Sequence, residues 1–429
     1  MMRKNQIHRR LIKGFGANLL GRIWMILAQL LTVPILTYHW GVDGYGVWLM
    51  INAIPTYLAL SDFGLGTAAG VEITKSVTQD DREEALRVYQ SGWIILSFLT
   101  IGMGAIICTL ALAWLKIKGG EAGPFSNNEV ALTIILTTVA ALIGIQTRYQ
   151  RTIFDATHKY AIGTLLFDLN FLLSAISLMI VALAGGRIIE AAAAQVVVKF
   201  LLCLVYIIIL RREEPWWRPG WSLSEIAIVK RLISPSFASF ILAAGNSLGL
   251  QGIVLTIGWV ISPAAAAIFA TSRMLTRIPV QFAMLLTRAS IPELTRAQTA
   301  GDLSLTKKLM RLNIGLVILV MAPATLLFTF TGPWLLQRLS HGKMTSDHFA
   351  FFLLGLAAAL CAIWTALSTR FVSTNNQRVF AYLALGLYAI VALLPYLASE
   401  RYHLILVGIV IADAGIAWRV AFWKEGKRT

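Results

Sequence analysis

Arg273 and Arg277 stand four residues apart in a stretch, 264–287, that is otherwise mostly apolar. At that spacing on a helix they share one face. Two guanidiniums on one face can grip a phosphate or an acidic sugar, because the planar fork binds oxygen pairs bidentately. Acids on neighbouring helices could equally neutralise them. Arg22 makes a second polar group in an apolar stretch, with Asn18 at i−4 and Gln29 at i+7 on nearly the same face. That stripe suits a wet cavity or the snorkelling of Arg22 to the membrane surface. Asp168 (with Asn170), Lys199 and Asp413 lie near the middles of three further apolar stretches. The two acids are candidates for carrying a proton or sodium; alternatively, Lys199 and an acid form a buried structural pair. Asn246 and Gln251 are polar within 232–261, where hydrogen bonding across helices explains them as well as cavity lining does.

A charge at mid-bilayer costs about 2.5–3.5 kcal/mol or more, so it usually faces a cavity or a partner. Four deep cations (Arg22, Lys199, Arg273, Arg277) outnumber two deep acids (Asp168, Asp413). The interior is therefore net positive, which favours an anionic cargo over an organic cation. Other chemistry lacks its motifs. There is no G-x-x-x-x-G-K-[ST] for nucleotide hydrolysis, no G-x-S-x-G and no H-E-x-x-H. The six histidines are scattered without metal-ligand spacing, and Cys108, Cys203 and Cys361 sit in apolar runs with no CxxC pair. Asp80-Asp81 in a polar loop reads as solvated. A non-enzyme without cofactor or metal is the expectation.

These residues need helices in a membrane to position them. The chain has 429 residues, 57% hydrophobic and 14% charged, with a mean hydropathy of +0.72. A soluble domain keeps about a quarter of its residues charged. Apolar segments fall at 14–38, 44–66, 89–115, 129–147, 161–184, 189–210, 232–261, 264–287, 312–336, 349–369, 379–397 and 403–423. Each is long enough to span a bilayer, which needs about 20 residues of helix. The first follows a basic tail but is too long for a signal peptide and lacks a small-residue cleavage site. The expected fold is an all-α membrane protein of about twelve transmembrane helices.

The net charge of +16 is mostly an orientation signal. With the N-terminus in the cytoplasm, the inner segments 1–13, 75–88, 148–160, 211–231, 288–311, 370–378 and 419–429 hold 27 of the 37 Lys and Arg. The outer loops hold six. This is the positive-inside pattern, and it puts both termini in the cytoplasm. The basic excess therefore does not point to nucleic acid, which would need a basic polar surface.

The two halves resemble each other in register. Ile54-Pro55 answers Ile278-Pro279, Glu72–Lys75 answers Glu293–Arg296, Thr147-Arg148-Tyr149 answers Thr369-Arg370-Phe371, and Tyr160-Ala161 answers Phe380-Ala381. A near-constant offset implies two six-helix lobes related by a pseudo-two-fold along the membrane normal. The expected organisation is a cytoplasmic basic tail (1–13), an N-lobe (14–210), an interlobe linker (211–231), a C-lobe (232–423) and a short cytoplasmic tail (424–429). Matched prolines in spans 2 and 8 predict paired helix interruptions along a substrate path.

The segment Gly41-Val42-Asp43-Gly44-Tyr45-Gly46-Val47-Trp48, followed by Tyr57-Leu58-Ala59-Leu60-Ser61-Asp62-Phe63-Gly64-Leu65-Gly66, resembles the polysaccharide-biosynthesis flippases of the O-antigen type. Ile291-Pro292-Glu293-Leu294-Thr295-Arg296 with Ala300-Gly301-Asp302 is similar to that family's loop after span 8. The resemblance implies the superfamily of multidrug exporters and lipid-linked sugar flippases, with a V-shaped, MATE-like pair of bundles. It implies alternating-access movement of an undecaprenyl-diphosphate-linked oligosaccharide across the bacterial inner membrane, for surface polysaccharide. On that reading Arg22, Arg273 and Arg277 line a cationic cavity, with Asn246 and Gln251 beside them. Arg148 and Arg370 are candidates for a cytoplasmic gate, and so is Asp62, for which a helix-ending role beside Gly64 and Gly66 is as good. The motif glycines also have a plain reading, since a tight outer turn needs positive φ. Expected partners are membrane lipid, the lipid-linked oligosaccharide and other membrane proteins of polysaccharide assembly.

Two other classes remain in view. A cation-coupled multidrug exporter shares the fold, and the cationic interior weighs against it. A membrane polysaccharide polymerase or ligase usually carries a large outer loop, whereas the outer loops here reach at most about 15 residues by the span spacing. The orientation is directly testable. In a background lacking the three native cysteines, Ala122→Cys in an outer loop is expected to react with a membrane-impermeant thiol reagent on intact cells, and Gln79→Cys only after lysis; the reverse pattern would invert the topology.

Overall fold

The computed structural model describes residues 2–60, 65–118, 124–157, 159–233, 237–289, 294, 302–372 and 378–422. Those residues are helical nearly throughout and contain no strand. Nine of their helices are long and apolar enough to cross a membrane. A polar backbone in hydrocarbon must pair with itself, which the helix does within one segment. The expected spans 44–66, 232–261 and 264–287 are not among the nine, and each departs for a local reason.

The second expected span is not one helix. α1 (Met2–His39) turns at Trp40 into α2 (Gly41–Thr56), which gives way to a 3-10 turn at Tyr57–Leu60; α3 (Leu65–Thr78) follows. Pro55 lies one residue before the end of α2, where its ring and missing N–H weaken the helix. The motif glycines also divide. Gly41 has φ +73°, as a tight turn requires, but Gly44 and Gly46 lie inside α2. A Cβ on Gly46 would strike the Pro263 backbone, and one on Gly44 would lie 2.9 Å from the Trp40 Cβ. Close approach, rather than positive φ, is what these two positions need.

The seventh expected span is α9 (Phe237–Ser247), a π turn at Leu248–Gly252 and α10 (Ile253–Val260). The eighth is α11 (Pro263–Ala289), which carries Arg273 and Arg277 beside buried Thr271, Ser272 and Thr276, and runs through Pro279 unbroken. Interruptions paired at Pro55 and Pro279 are therefore not what the chain forms. In the second half the irregular turn falls one helix earlier.

The remaining elements are α4 (Arg82–Lys118), α5 (Asn127–Ala156), α6 (Tyr160–Leu183), α7 (Ile188–Glu213) and α8 (Ile226–Ile233). After them come α12 (Leu303–Leu339), α13 (His348–Val372), α14 (Arg378–Leu397) and α15 (Tyr402–Ala421). Side chains fix some starts. Ser126 Oγ accepts from the Glu129 N–H at 3.3 Å while Glu129 Oε2 accepts from the Ser126 N–H at 2.9 Å, a capping box at α5. Asp302 accepts from the Leu305 N–H at 2.8 Å to begin α12.

The chain forms two compact units, residues 1–44 with 51–240 and residues 45–50 with 241–429. In the first, α1 packs on α6, α5 on α7, and α3 on α4 and α5. Its basic-loop end has an aromatic core in which Tyr89, Tyr149, Phe154, Tyr206 and Trp217 are all buried. Tyr149 Oη donates to the Tyr89 carbonyl at 3.0 Å. The segment after α7 is strapped over this core. Gln90 Nε2 donates to the Arg218 carbonyl at 3.2 Å, and Gln90 Oε1 accepts from the Leu223 N–H at 2.9 Å. Arg87 pairs with Glu83 at 2.6 Å and Glu225 at 3.3 Å. Lys159 pairs with Glu213 at 2.9 Å and Glu214 at 3.0 Å. Burial by itself would lower the Lys159 ammonium, but its hydrogen bonds to these two carboxylates hold it above the usual lysine range.

In the second unit α13 is central and the most buried of the long apolar helices. Ala350, Ala357, Ala358, Cys361, Ala362 and Ala366 are all buried along it. Small residues let helix backbones approach where lipid offers no hydrophobic drive between helices. Thr325 Oγ1 on α12 donates to the Gly355 carbonyl at 3.2 Å, a contact that needs the bare glycine.

Trp217 is 1% exposed. Truncating a buried aromatic of this size typically costs about 3–5 kcal/mol. Trp217→Ala is expected to loosen the strap and speed protease cleavage between residues 214 and 225. A cleavage rate equal to the parent's would show that the strap does not depend on this side chain.

Candidate functional site

The polar side chains of the second unit converge on α11, α13, α14, α15 and the π turn. A π turn shifts hydrogen bonding from i→i+4 to i→i+5 and leaves carbonyls short of donors. Arg273 on α11 supplies them. Its Nη1 donates 2.9 Å to the Gly249 carbonyl, and its Nη2 donates to the Leu250 carbonyl. The guanidinium also lies over the Phe269 ring, 4.8 Å from its centroid. Gly245 and Gly249 let α14 come close; a Cβ on Gly249 would sit 2.8 Å from the Tyr388 ring, and one on Gly245 would sit 3.0 Å from the Leu385 nitrogen.

Tyr388, so placed, donates its hydroxyl to Asp413 Oδ1 at 2.6 Å, and Trp364 Nε1 donates to the same oxygen at 2.9 Å. Asp413 is 2% exposed. Arg277 and Arg273 both act on its charge through the field. Among the described residues neither arginine makes a direct ion pair with it. Arg277 instead places both terminal nitrogens 3.8 Å from Cys361 Sγ, and sulfur is a weak acceptor. The two arginines therefore differ. Arg273 is committed to the backbone, while Arg277 holds strong donors against a weak partner and is the better group for an anionic ligand. Asn246, in the last turn of α9, and Gln251, inside the π turn, are half-buried near this cluster in sequence.

In the first unit, Asp168 on α6 abuts Gly21 on α1 so closely that a Cβ there would overlap its carboxylate. Arg151 and Arg22 both act on Asp168. Arg22 and Gln29 are half-buried, and the side chain of Asn18 lies outside the described residues. Asn170 is buried, and its Nδ2 has no partner among the described residues. Lys199 is half-buried on α7 beside exposed Val197, Phe200 and Leu201, and no described carboxylate pairs with it. Lys199 and Asp413 belong to different units, and Asp413 takes its hydrogen bonds from Tyr388 and Trp364 instead. Asp62 lies outside the described residues.

The repeat-matched arginines do different work. Arg370 donates to the carbonyls of Val420 and Ala421, the latter at 3.5 Å, and its guanidinium lies 4.5 Å from the Phe371 ring centroid. It caps the C-terminus of α15, where helix carbonyls lack donors. Arg148 instead lines a cavity of about 630 Å³ among α3, α4, α5 and α6, together with Lys75, Arg151 and Asp155.

Tyr388, Trp364 and the Cys361 contact did not stand out in the sequence, since aromatic and thiol side chains in apolar stretches read as packing. The usable signal was Asp413 itself, because a buried carboxylate requires donors nearby. Arg151 and Lys75 were legible only as orientation charges, although Arg151 is one turn from Arg148. No group of three His, Cys, Asp or Glu able to hold a metal occurs among the described residues.

This geometry can be set beside known proteins. The chain is similar in fold to a MATE multidrug transporter, DinF-BH, solved in a ligand complex, with a TM-score of 0.69 and 14% identity over 96% of this chain and 94% of that one. It is also similar to the inward-facing conformation of a multidrug resistance MATE family transporter of the MOP superfamily, with a TM-score of 0.67 and 14% identity over 93% and 94%. A MOP superfamily transporter from Pyrococcus furiosus Vc1, described by a reverse polarity of its binding pocket that suggests a different function, gives a TM-score of 0.61 and 13% identity over 94% of each chain. No curated protein matches the sequence. These likenesses establish a MATE-like fold. By sequence, residues 11–298 match the family described as polysaccharide biosynthesis protein, about two thirds of the length, and the chain belongs to that family.

Proposed function

We propose that this protein is a transporter that flips an undecaprenyl-diphosphate-linked oligosaccharide across the bacterial cytoplasmic membrane by alternating access, for surface polysaccharide biosynthesis. The observation that carries this reading is Arg277. It is a half-buried arginine on α11, faced by a sulfur rather than a carboxylate. A diphosphate offers the oxygen pairs that such a guanidinium lacks. Family membership supports the polysaccharide context. The solved relative described by a pocket of reverse polarity supports the logic that, on this fold, the sign of the interior separates cargo classes. The lipid tail would stay in the bilayer while the head crosses among cationic groups.

A second reading rests on Asp413, a buried carboxylate held by two aromatic donors. Such a group suits proton or sodium coupling, as in a cation-coupled multidrug exporter, and a solved relative is described as a multidrug transporter. Loss of the protein that raises drug sensitivity and leaves polysaccharide intact would favour this class.

Arg277→Ala is expected to lower export of lipid-linked oligosaccharide at least about tenfold, equivalent to ~1.4 kcal/mol, while the protein still inserts. Arg273→Ala should in addition lower stability by about 1–3 kcal/mol, because it bares two carbonyls of the π turn. Normal surface polysaccharide in both variants, at parental membrane levels, would remove the cationic-cavity role. Asp413→Asn keeps the acceptor oxygen for Tyr388 and Trp364, so its thermal stability should stay near the parent's. If Asp413 couples transport, export in this variant no longer responds to collapse of the proton or sodium gradient; an unchanged response assigns coupling elsewhere.

A further inference from the structure

The cavity of the first unit is lined by more basic than acidic side chains. Three of its lining side chains are basic, Lys75, Arg148 and Arg151, and one is acidic, Asp155. Two of the three cations are already occupied. Lys75 Nζ lies 2.7 Å from Glu72, and Arg151 Nε lies 3.6 Å from Asp155. Arg151 is further held over the rings of Tyr160 and Phe167, at 5.1 and 5.8 Å. Arg148 takes part in none of these contacts, although it lines the same space and is exposed. Gly70 leaves the α3 wall open there, since a Cβ would meet nothing nearer than Thr152 Cγ2 at 3.6 Å. The rest of the wall combines apolar Val71, Leu96, Ile145 and Phe167 with the hydroxyl side chains of Thr74, Tyr149 and Thr152, and Val71 is 53% exposed. The cavity thus sets cationic groups about one helical turn from apolar ones, Lys75 from Val71 on α3 and Arg148 from Ile145 on α5.

That combination matches one ligand chemistry, an anionic phosphate joined to a hydrocarbon tail. We infer that this cavity binds the phosphate headgroup of an anionic lipid through Arg148, with Lys75 and Arg151 as flanking charges and the tail lying along Val71 and Ile145. The planar guanidinium supplies paired donors to phosphate oxygens. Clustered Lys and Arg side chains near a membrane surface attract anionic lipid. Such a lipid has two sources, the transported cargo and the surrounding bilayer, and both present the same phosphate.

The test uses the full chain purified in detergent. Binding is measured for undecaprenyl phosphate, phosphatidylglycerol, phosphatidylcholine and inorganic diphosphate. Both anionic lipids are expected to bind at least about tenfold tighter than phosphatidylcholine. Arg148→Glu should weaken them at least about tenfold, and Arg148→Lys should restore much of the loss. Lys75→Glu, on an exposed side chain, should weaken them by a smaller factor and serves if Arg148→Glu does not fold. Tighter binding of undecaprenyl phosphate than of phosphatidylglycerol assigns the site to cargo, and equal binding assigns it to bilayer lipid; both support the inference. Unchanged affinity in Arg148→Glu and Lys75→Glu overturns it, as does full-affinity binding of inorganic diphosphate without a tail. Lipid binding here and export through Arg277 are read by separate assays and fail separately.

Discussion

Hydrocarbon offers no water to a backbone carbonyl or a charged side chain, so every such group within the membrane must find its partner inside the protein. In the second unit one irregular turn sets off a sequence of such obligations. The π turn at Leu248–Gly252 leaves the carbonyls of Gly249 and Leu250 in need, and Arg273 meets them. The glycines that permit the turn also admit α14, which brings Tyr388 to Asp413. Asp413 in turn offsets part of the charge that Arg277 and Arg273 bring into the interior. None of these groups can be understood singly, because removing any one leaves another unpartnered in a medium that punishes it.

The first unit solves a different problem. Apart from Arg187–Glu129 at the starts of α7 and α5, its ion pairs lie at the basic-loop end, where most of the charged side chains are substantially exposed. Exposed pairs contribute little individually, typically under about 1 kcal/mol. Cohesion at that end comes instead from the aromatic core under the strap, where the Tyr89 ring lies 5.1 Å from that of Tyr149 and 5.5 Å from that of Trp217 by centroid. The polar contacts then decide which surface the strap lies on. Specificity in one unit is thus buried and costly, and in the other it is peripheral.

Helix placement was legible because hydropathy and loop charge report the bilayer directly. Arg273, Arg277 and Asp413 were legible for the same reason: a charge in an apolar stretch is rare enough to mark itself. The break in the second span was readable in kind at Pro55, yet Pro279 carried the same mark and left α11 continuous. Proline states only that one hydrogen bond is missing, and neighbouring packing decides whether a helix absorbs the loss. The π turn had no such marker, since glycines in membrane helices are common. The partners of Asp413 stayed hidden because Tyr388 and Trp364 come from other helices, and only the fold brings α13, α14 and α15 together. The cavity around Arg148 was concealed differently, because its cations also satisfy the rule that orients the chain, and one residue can serve both ends.

Gln90 illustrates what a neutral side chain can encode. Its amide is chemically lopsided, a donor on one side and an acceptor on the other, and the strap presents a carbonyl at Arg218 and an N–H at Leu223 to match. Sliding the strap by one residue would take the Arg218 carbonyl and the Leu223 N–H away from the amide, so the contact works as a register key rather than as glue. A carboxylate of the same shape would turn half of it repulsive. Unlike the surrounding ion pairs of Arg87 and Arg231, this key carries no net charge and is not weakened by dissolved ions. The seating of the strap should therefore be indifferent to the salt of the compartment it faces, even where the strength of its hold is not.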